Sequence, residues 1–205
     1  MVEELQEQIR KAFLSKDVIY VNSDGISIST INGDELLAQA DLVSLIYSYT
    51  LDLLSKSFPK VYELRDKKIA ISANKLTSEN NKFRLHFDRN QITVVIYLAC
   101  STNFPLILYP LIRKDPRVFK VNTNKRFNLN SSREIKIYPK PGLAVIFWGR
   151  RTLHGVIFED LGTGCIDERL SLQFGFDLSE FNYDGEFYYG KKSDASLSSV
   201  AVSEN

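Results

Sequence analysis

The sequence predicts a mainly β fold, an antiparallel sandwich or barrel with helices flanking it. Three observations carry this expectation. Short apolar or alternating runs recur between residues 68 and 178, punctuated by Gly, Pro and Asn. The helical periodicities lie ahead of them, before residue 60, and helices that precede a run of strands usually cover one face of its sheet. With 205 residues, 44% hydrophobic and 12% aromatic, the chain can bury one sizeable core. The expected organisation is one domain over 1–190. Residues 1–67 supply support helices and an edge strand, and 68–178 the β core. Residues 191–205, rich in Ser and small side chains, read as a disordered tail.

Element by element, Leu5, Ile9, Ala12 and Phe13 stand at helical spacing and predict a short amphipathic helix over Glu3–Ser15. Asp17–Val21 reads as a strand ended by the turn-former Asp24-Gly25. Asn32 with Glu35 three residues later is a helix-start signal, and apolar residues continue from Leu36 to Leu54 before Pro59 closes the helix. Strands are expected at Ile69–Ala73, Gln91–Cys100, Pro105–Tyr109, Ile135–Tyr138, Leu143–Trp148 and Leu170–Phe176.

Composition excludes several classes. Twenty-six basic residues against 25 acidic ones is not the balance of a dedicated nucleic-acid binder. Cys100 and Cys165 are too few for a disulfide scaffold or a Cys-rich metal site. No run approaches the roughly 20 apolar residues of a membrane span. Met1-Val2-Glu3-Glu4-Leu5 is acidic at once, unlike a secretory signal. A cytoplasmic protein with no nucleic-acid and no membrane partner is expected. The charge is nonetheless uneven, with nine basic residues against Asp115 and Glu134 between Leu111 and Lys140. That stretch is either a solvated loop or a surface that attracts anions.

Only two histidines occur, His86 and His154. In His86-Phe87-Asp88 the imidazole and carboxylate, two residues apart on an extended segment, project together while Phe87 points away. His154, after the Pro141–Leu153 turn, strand and loop, supplies a third ligand of the right kind. Two histidines and a carboxylate suit a non-haem Fe(II) site with open positions, or a catalytic zinc. On the strand that begins at Arg169, Ser171 and Gln173 share its face, and Leu170, Leu172, Phe174 and Phe176 form the other. Arg169 is therefore either on a solvent face or in a barrel mouth, where its fork would match a carboxylate.

Together these motifs resemble the Fe(II)/2-oxoglutarate-dependent oxygenase superfamily, near its phytanoyl-CoA-hydroxylase-like and prolyl-hydroxylase-like branches. The resemblance rests on His86-Phe87-Asp88 followed by Thr93–Leu98, on Pro141-Gly142 leading to His154-Gly155-Val156, and on Arg169-Leu170-Ser171, and covers about Ile69–Phe176. It implies a double-stranded β-helix (jelly roll, cupin-like) with Fe(II) held by His86, Asp88 and His154. It further implies 2-oxoglutarate and O2 as co-substrates, the far carboxylate of 2-oxoglutarate meeting Arg169 with Ser171 beside it. The implied reaction is hydroxylation of an unactivated C–H bond with release of succinate and carbon dioxide. Desaturation, ring formation and epimerisation share its start. Halogenation is not implied, because the carboxylate of Asp88 is present. Asn74 lacks the tyrosine that follows two residues later in some branches and is a weaker co-substrate contact. Thr93 and Tyr97 alternate inward and either line the site or belong to the core. The expected substrate is a small molecule or amino-acid-like compound, free or bound to a peptide or carrier. A non-catalytic jelly-roll binding protein and a cupin enzyme using another metal are the competing readings.

Overall fold

Alternation along two long strands divides the protein into a helix-covered side and a concave side. In the computed structural model, which describes residues 2–23, 25–64, 66–100, 104–112, 133–159 and 168–178, β6 (Ile92–Ala99) lies antiparallel beside β11 (Glu168–Leu178). Ile92, Val94 and Leu98 of β6 and Leu170, Leu172, Phe174 and Phe176 of β11 enter the main core. Thr93, Val95, Tyr97, Arg169, Ser171 and Gln173 take the opposite face, as strand alternation requires. The basic stretch between 113 and 132, Cys165 and the tail at 191–205 lie outside the described residues.

The helical side is built from α1 (Val2–Ala12), α2 (Gly33–Leu37) and α3 (Asp41–Ser57). Leu5 and Ile9 of α1, Leu36 of α2, and Val43 and Tyr47 of α3 all pack into the same core as the apolar face of β6 and β11. The Tyr47 ring stacks on Phe176 at 4.9 Å and meets Phe174 edge-on at 5.1 Å, arrangements that favour aromatic pairs beyond their buried area.

The remaining strands are β1 (Ile19–Ser23), β2 (Ile26–Asn32), β3 (Val61–Glu63), β4 (Ile71–Thr77), β5 (Lys82–His86), β7 (Leu106–Tyr109), β8 (Ile135–Ile137), β9 (Ala144–Trp148) and β10 (Leu153–Val156). Their order in the sheet is β8-β7-β10-β5-β2-β4-β11-β6-β9, with β1 against β2 and β3 against β11. Each neighbouring pair is antiparallel. Val95 and Tyr97 of β6 pack with Leu106 and Leu108 of β7, and Ile137 of β8 joins Val145 and Phe147 of β9 in that cluster. Strands from the two ends of the order therefore face each other, and the sheet is curled into a jelly roll, as expected.

Several local expectations differ from the structure. The single helix expected from Asn32 to Leu54 is two, α2 and α3, because the chain turns extended at Ala40 (φ −141°, ψ 92°) before Asp41 starts the second. Asn32 occupies the N-cap position but makes no side-chain capping bond. It also ends β2, and its side of the strand lines a cavity. Ile69 and Ala70, expected to open a strand, instead close a short helix, α4 (Lys67–Ala70), capped by the Asp66 carboxylate accepting from Lys68 N. Gly33 permits the close approach there, since a Cβ would stand 2.0 Å from the Lys67 carbonyl oxygen. β2, from the segment expected to give only helices and an edge strand, sits inside the sheet between β5 and β4. The turn expected at Asp24-Gly25 is represented by Gly25 at φ +72°, a value that glycine adopts without strain, while Asp24 lies outside the described residues.

Asp177, near the end of β11, is fully buried and accepts the Gln91 backbone N–H at 2.6 Å. Burial pushes its carboxyl up to about 7, against the opposing pull of that N–H and of the Arg150 charge. An acid raised on folding contributes stability below its unfolded value, and loses it as the pH climbs through the folded one. Stability should thus fall between about pH 4 and pH 7, by up to roughly 4 kcal/mol. D177N keeps the acceptor for Gln91 and should flatten that part of the profile in urea melts. A slope unchanged in D177N would assign the pH dependence to other groups.

Candidate metal centre and flanking cavities

The metal-ligand candidates converge because two strands put their histidines opposite each other. His154 on β10 pairs directly with His86 on β5, and their rings lie 4.3 Å apart between centroids. Asp88 follows β5, and its backbone N–H donates to the Gly149 carbonyl at 3.0 Å, which fixes the turn that swings the carboxylate back. Phe87 points into a separate apolar cluster with Ile107, Tyr109 and Leu153. Asp88 Oδ1 lies 3.4 Å from His86 Nε2, and Asp88 Oδ2 lies 3.4 Å from His154 Nε2.

Each imidazole is oriented by its other nitrogen. His86 Nδ1 bonds the Arg84 carbonyl at 2.9 Å and His154 Nδ1 bonds the Thr152 carbonyl at 3.0 Å. A carbonyl only accepts, so Nδ1 carries the proton and the Nε2 lone pair is left for a metal. Thr93 Oγ1 donates to Asp88 Oδ2 at 2.5 Å and accepts from Asn90 Nδ2 at 2.8 Å. Burial raises the Asp88 carboxyl, but the two imidazoles, His154 foremost, outweigh it and hold the group well below the usual carboxylate range. Burial likewise lowers His154, and the Asp88 charge more than offsets it, leaving the imidazole raised.

The donor set fits a divalent metal. One ligand atom from each of His86, Asp88 and His154 can be chosen so that all lie within 4.8 Å of one another. Ligands about 2.1 Å from a shared ion stand no more than about 4.2 Å apart, and both carboxylate–imidazole separations meet that limit. Carboxylate–imidazole–hydroxyl support of this kind orients first ligands and tunes the ion they hold. Thr93→Val keeps the shape and removes the donor to Asp88. It should weaken metal binding by about 10- to 100-fold in equilibrium dialysis; unchanged affinity would mean that the backbone alone orients the carboxylate.

Two cavities flank the triad. The larger, about 160 Å³, is lined by His86 and Asp88 together with Asn74, Phe83, Arg84 and Gln173. The smaller, about 10 Å³, takes in His154, Arg169, Ser171 and Val95. Asn74, Phe83 and Gln173 line both and separate them. Arg169 is buried; its Nη2 donates to the Tyr97 hydroxyl at 3.3 Å and its Nε has no hydrogen-bond partner. Among the described residues no carboxylate forms an ion pair with it. A buried guanidinium with no described counter-charge is costly, and its fork can receive an anion.

The expected site residues are thus gathered, with distinct positions. Thr93 touches the triad directly, Tyr97 is fully buried beneath Arg169, and Ser171 lies across the pair of strands from Asn74. Asn74 Nδ2 donates to Ser72 Oγ at 3.3 Å. Phe83, Arg84 and Gln173 were not among the residues expected here.

No family model matches the chain, and no curated protein matches it. Solved structures do. The chain is similar to the non-heme alpha-ketoglutarate-dependent epimerase SnoN from nogalamycin biosynthesis, with a TM-score of 0.63 and 12% identity over 89% of this chain and 80% of that one. It is similar to HygX from Streptomyces hygroscopicus, solved with nickel, 2-oxoglutarate and hygromycin B bound, at 0.57 and 12% over 88% and 80%. A prolyl 4-hydroxylase from Phytophthora capsici matches at 0.58 and 15% over 88% of this chain. The chain has the fold of the Fe/2-oxoglutarate-dependent oxygenases. It spans 56% of the length of that prolyl 4-hydroxylase. Among the described residues no helix is long and apolar enough to cross a membrane.

Proposed function

We propose that this protein is a non-haem Fe(II)/2-oxoglutarate-dependent oxygenase that hydroxylates an unactivated C–H bond of a small-molecule or amino-acid-like substrate. The observation that carries the reading is the pairing of a His86–Asp88–His154 cluster with a buried Arg169 that no described carboxylate pairs with, on the cavity wall that also includes His154. Together the two features match a metal chelate with an anionic tail. A cytoplasmic location, where reductants protect ferrous iron, belongs to the same proposal.

His86, Asp88 and His154 would hold the iron, leaving coordination positions for small ligands. When bound, the iron would supply dioxygen activation coupled to decarboxylation of 2-oxoglutarate to succinate and carbon dioxide, and the oxidising power for the C–H bond. The remaining work is done by this chain. Thr93 keeps Asp88 aimed by donating to Oδ2. Arg169 receives the far carboxylate through its two-pronged fork, with the Ser171 hydroxyl on the same strand face as a further donor. Tyr97 supports the guanidinium from beneath, its ring 5.0 Å from the Arg169 Cζ. The smaller cavity has room for about one water, so entry of the carboxylate requires Asn74, Phe83 or Gln173 to turn aside. Closure of these apolar and amide side chains behind it would then exclude water, which strengthens the ionic contact.

The titration that tests the reading is optical. Anaerobic protein with Fe(II) and 2-oxoglutarate should develop a visible charge-transfer band that neither component gives alone. A zinc-type hydrolase or a non-catalytic jelly-roll protein would give no such band, and its absence from folded, iron-loaded protein would overturn the proposal.

A further inference from the structure

The larger cavity carries a feature that neither the metal triad nor Arg169 explains. Opposite β10, strand β5 is irregular: His86 pairs with His154, but the next pair is Phe83 with Val156. Three residues of β5 therefore span two of β10, a bulge of the kind that re-aims side chains. Gly155 makes room for it, since a Cβ there would meet the Phe83 and Arg84 carbonyl oxygens at 2.7 and 2.8 Å. The broken alternation lets Phe83, Arg84 and His86 all line the same cavity. The Arg84 stem packs against Gly25, where even a Cβ would stand 3.1 Å from Arg84 Cβ. Its Nε is shut off from solvent without a hydrogen-bond partner, and no described carboxylate forms an ion pair with it.

The charge of the wall points the same way. Lys68 lines this cavity with Arg84, and among the described lining residues the only carboxylate is Asp88, the metal-ligand candidate. A divalent ion held there would be met by Asp88 and by the chelating carboxylate of 2-oxoglutarate, so the charge left on the described wall is the positive charge of Arg84 and Lys68, which attracts anions.

We propose that the larger cavity takes an anionic substrate, whose carboxylate or phosphate is received by Arg84 a short distance from the metal triad. The inference rests on the proposed function and adds a substrate class to it. It gives two arginines separate tasks: Arg169 takes the co-substrate and Arg84 the molecule to be oxidised. The Arg84 carbonyl that orients His86 belongs to the backbone, so a side-chain substitution removes the receptor and leaves the ligand support.

The test uses full-length protein loaded with diamagnetic Zn(II) and saturating 2-oxoglutarate, titrated with phenylacetate, phenyl phosphate and neutral phenylacetamide. Arginine Nε–H resonances follow binding. At least one anion should bind tenfold or more tightly than the amide and shift the Arg84 Nε–H signal, and R84Q should bring that anion to the amide's affinity. If neither anion is preferred, or if R84Q keeps the preference, the proposal is overturned. A failure of 2-oxoglutarate to bind in the loading step would count against the Arg169 assignment alone, since the same titration of the Zn(II)-loaded protein still decides on Arg84.

Discussion

Replacing Asp88 by alanine is expected to abolish metal-dependent turnover while leaving the protein folded. Asp88 is the member that both histidines face, at 3.4 Å each. Without it two imidazoles remain, and the two positions it links lose their common anion. Groups that merely support a ligand are worth about 10- to 100-fold in metal affinity, so loss of the ligand itself should cost at least two orders of magnitude. The fold should tolerate the change. Asp88 contributes nothing to the apolar clusters, and its backbone bond to Gly149 survives in the variant. Calorimetry with Fe(II) under argon, beside a urea melt, separates the two effects. Retained tight iron binding in Asp88→Ala would show that the triad is not the metal centre.

The second large effect is expected at Arg169. Arg169→Ala should raise the apparent dissociation constant for 2-oxoglutarate by about 100-fold, the scale of a lost charge-assisted hydrogen-bond pair, with iron binding preserved. A companion variant reports on why the arginine is there. Arg169→Met fills similar space without a charge, and a buried guanidinium lacking an anion weakens a fold. In the absence of 2-oxoglutarate, Arg169→Met should therefore match or exceed the wild-type stability. A large loss of stability in the Arg169→Met variant would instead make Arg169 a structural element, and unchanged 2-oxoglutarate affinity in the alanine variant would remove it from the site.

The parts of the fold visible in the sequence are those governed by period. Leu170, Leu172, Phe174 and Phe176 alternate with Arg169, Ser171 and Gln173, and the first set enters the core while the second lines the cavity side, as the strand pleat demands. The break between α2 and α3 was hidden because Ala38, Gln39 and Ala40 are compatible with helix; the tertiary fit of two helices against one core decides it, and local propensity is a weak term beside that. β2 is inconspicuous in the sequence for a related reason. Its alternation is short, Ile26-Ser27-Ile28-Ser29, and breaks at Thr30-Ile31, while the burial of Ile26, Ile28 and Ile31 comes from neighbours in distant parts of the chain.

The site was legible where chemistry is scarce and obscure where geometry is irregular. Two histidines in the whole chain leave few ways to build a nitrogen-ligated centre, and the strand pairing of His86 with His154 brings both to it. Thr93 was recognisable only as an inward residue; its bond to Asp88 depends on a turn through Gly149. Arg84 carried no motif at all. By alternation it shares the face of His86 and Asp88, and only the presence of Phe83 beside it depends on the bulge opposite Gly155, which no periodic pattern announces.

His86, Asp88, His154 and Arg169 are proposed to form one oxidative centre using iron and 2-oxoglutarate. The direct measurement is succinate formed from 2-oxoglutarate in air with added Fe(II), compared between wild type and Asp88→Ala. Iron-dependent succinate from the wild type and none above background from Asp88→Ala is the predicted result. No succinate from folded, iron-loaded wild type, or equal succinate from both proteins, would contradict it.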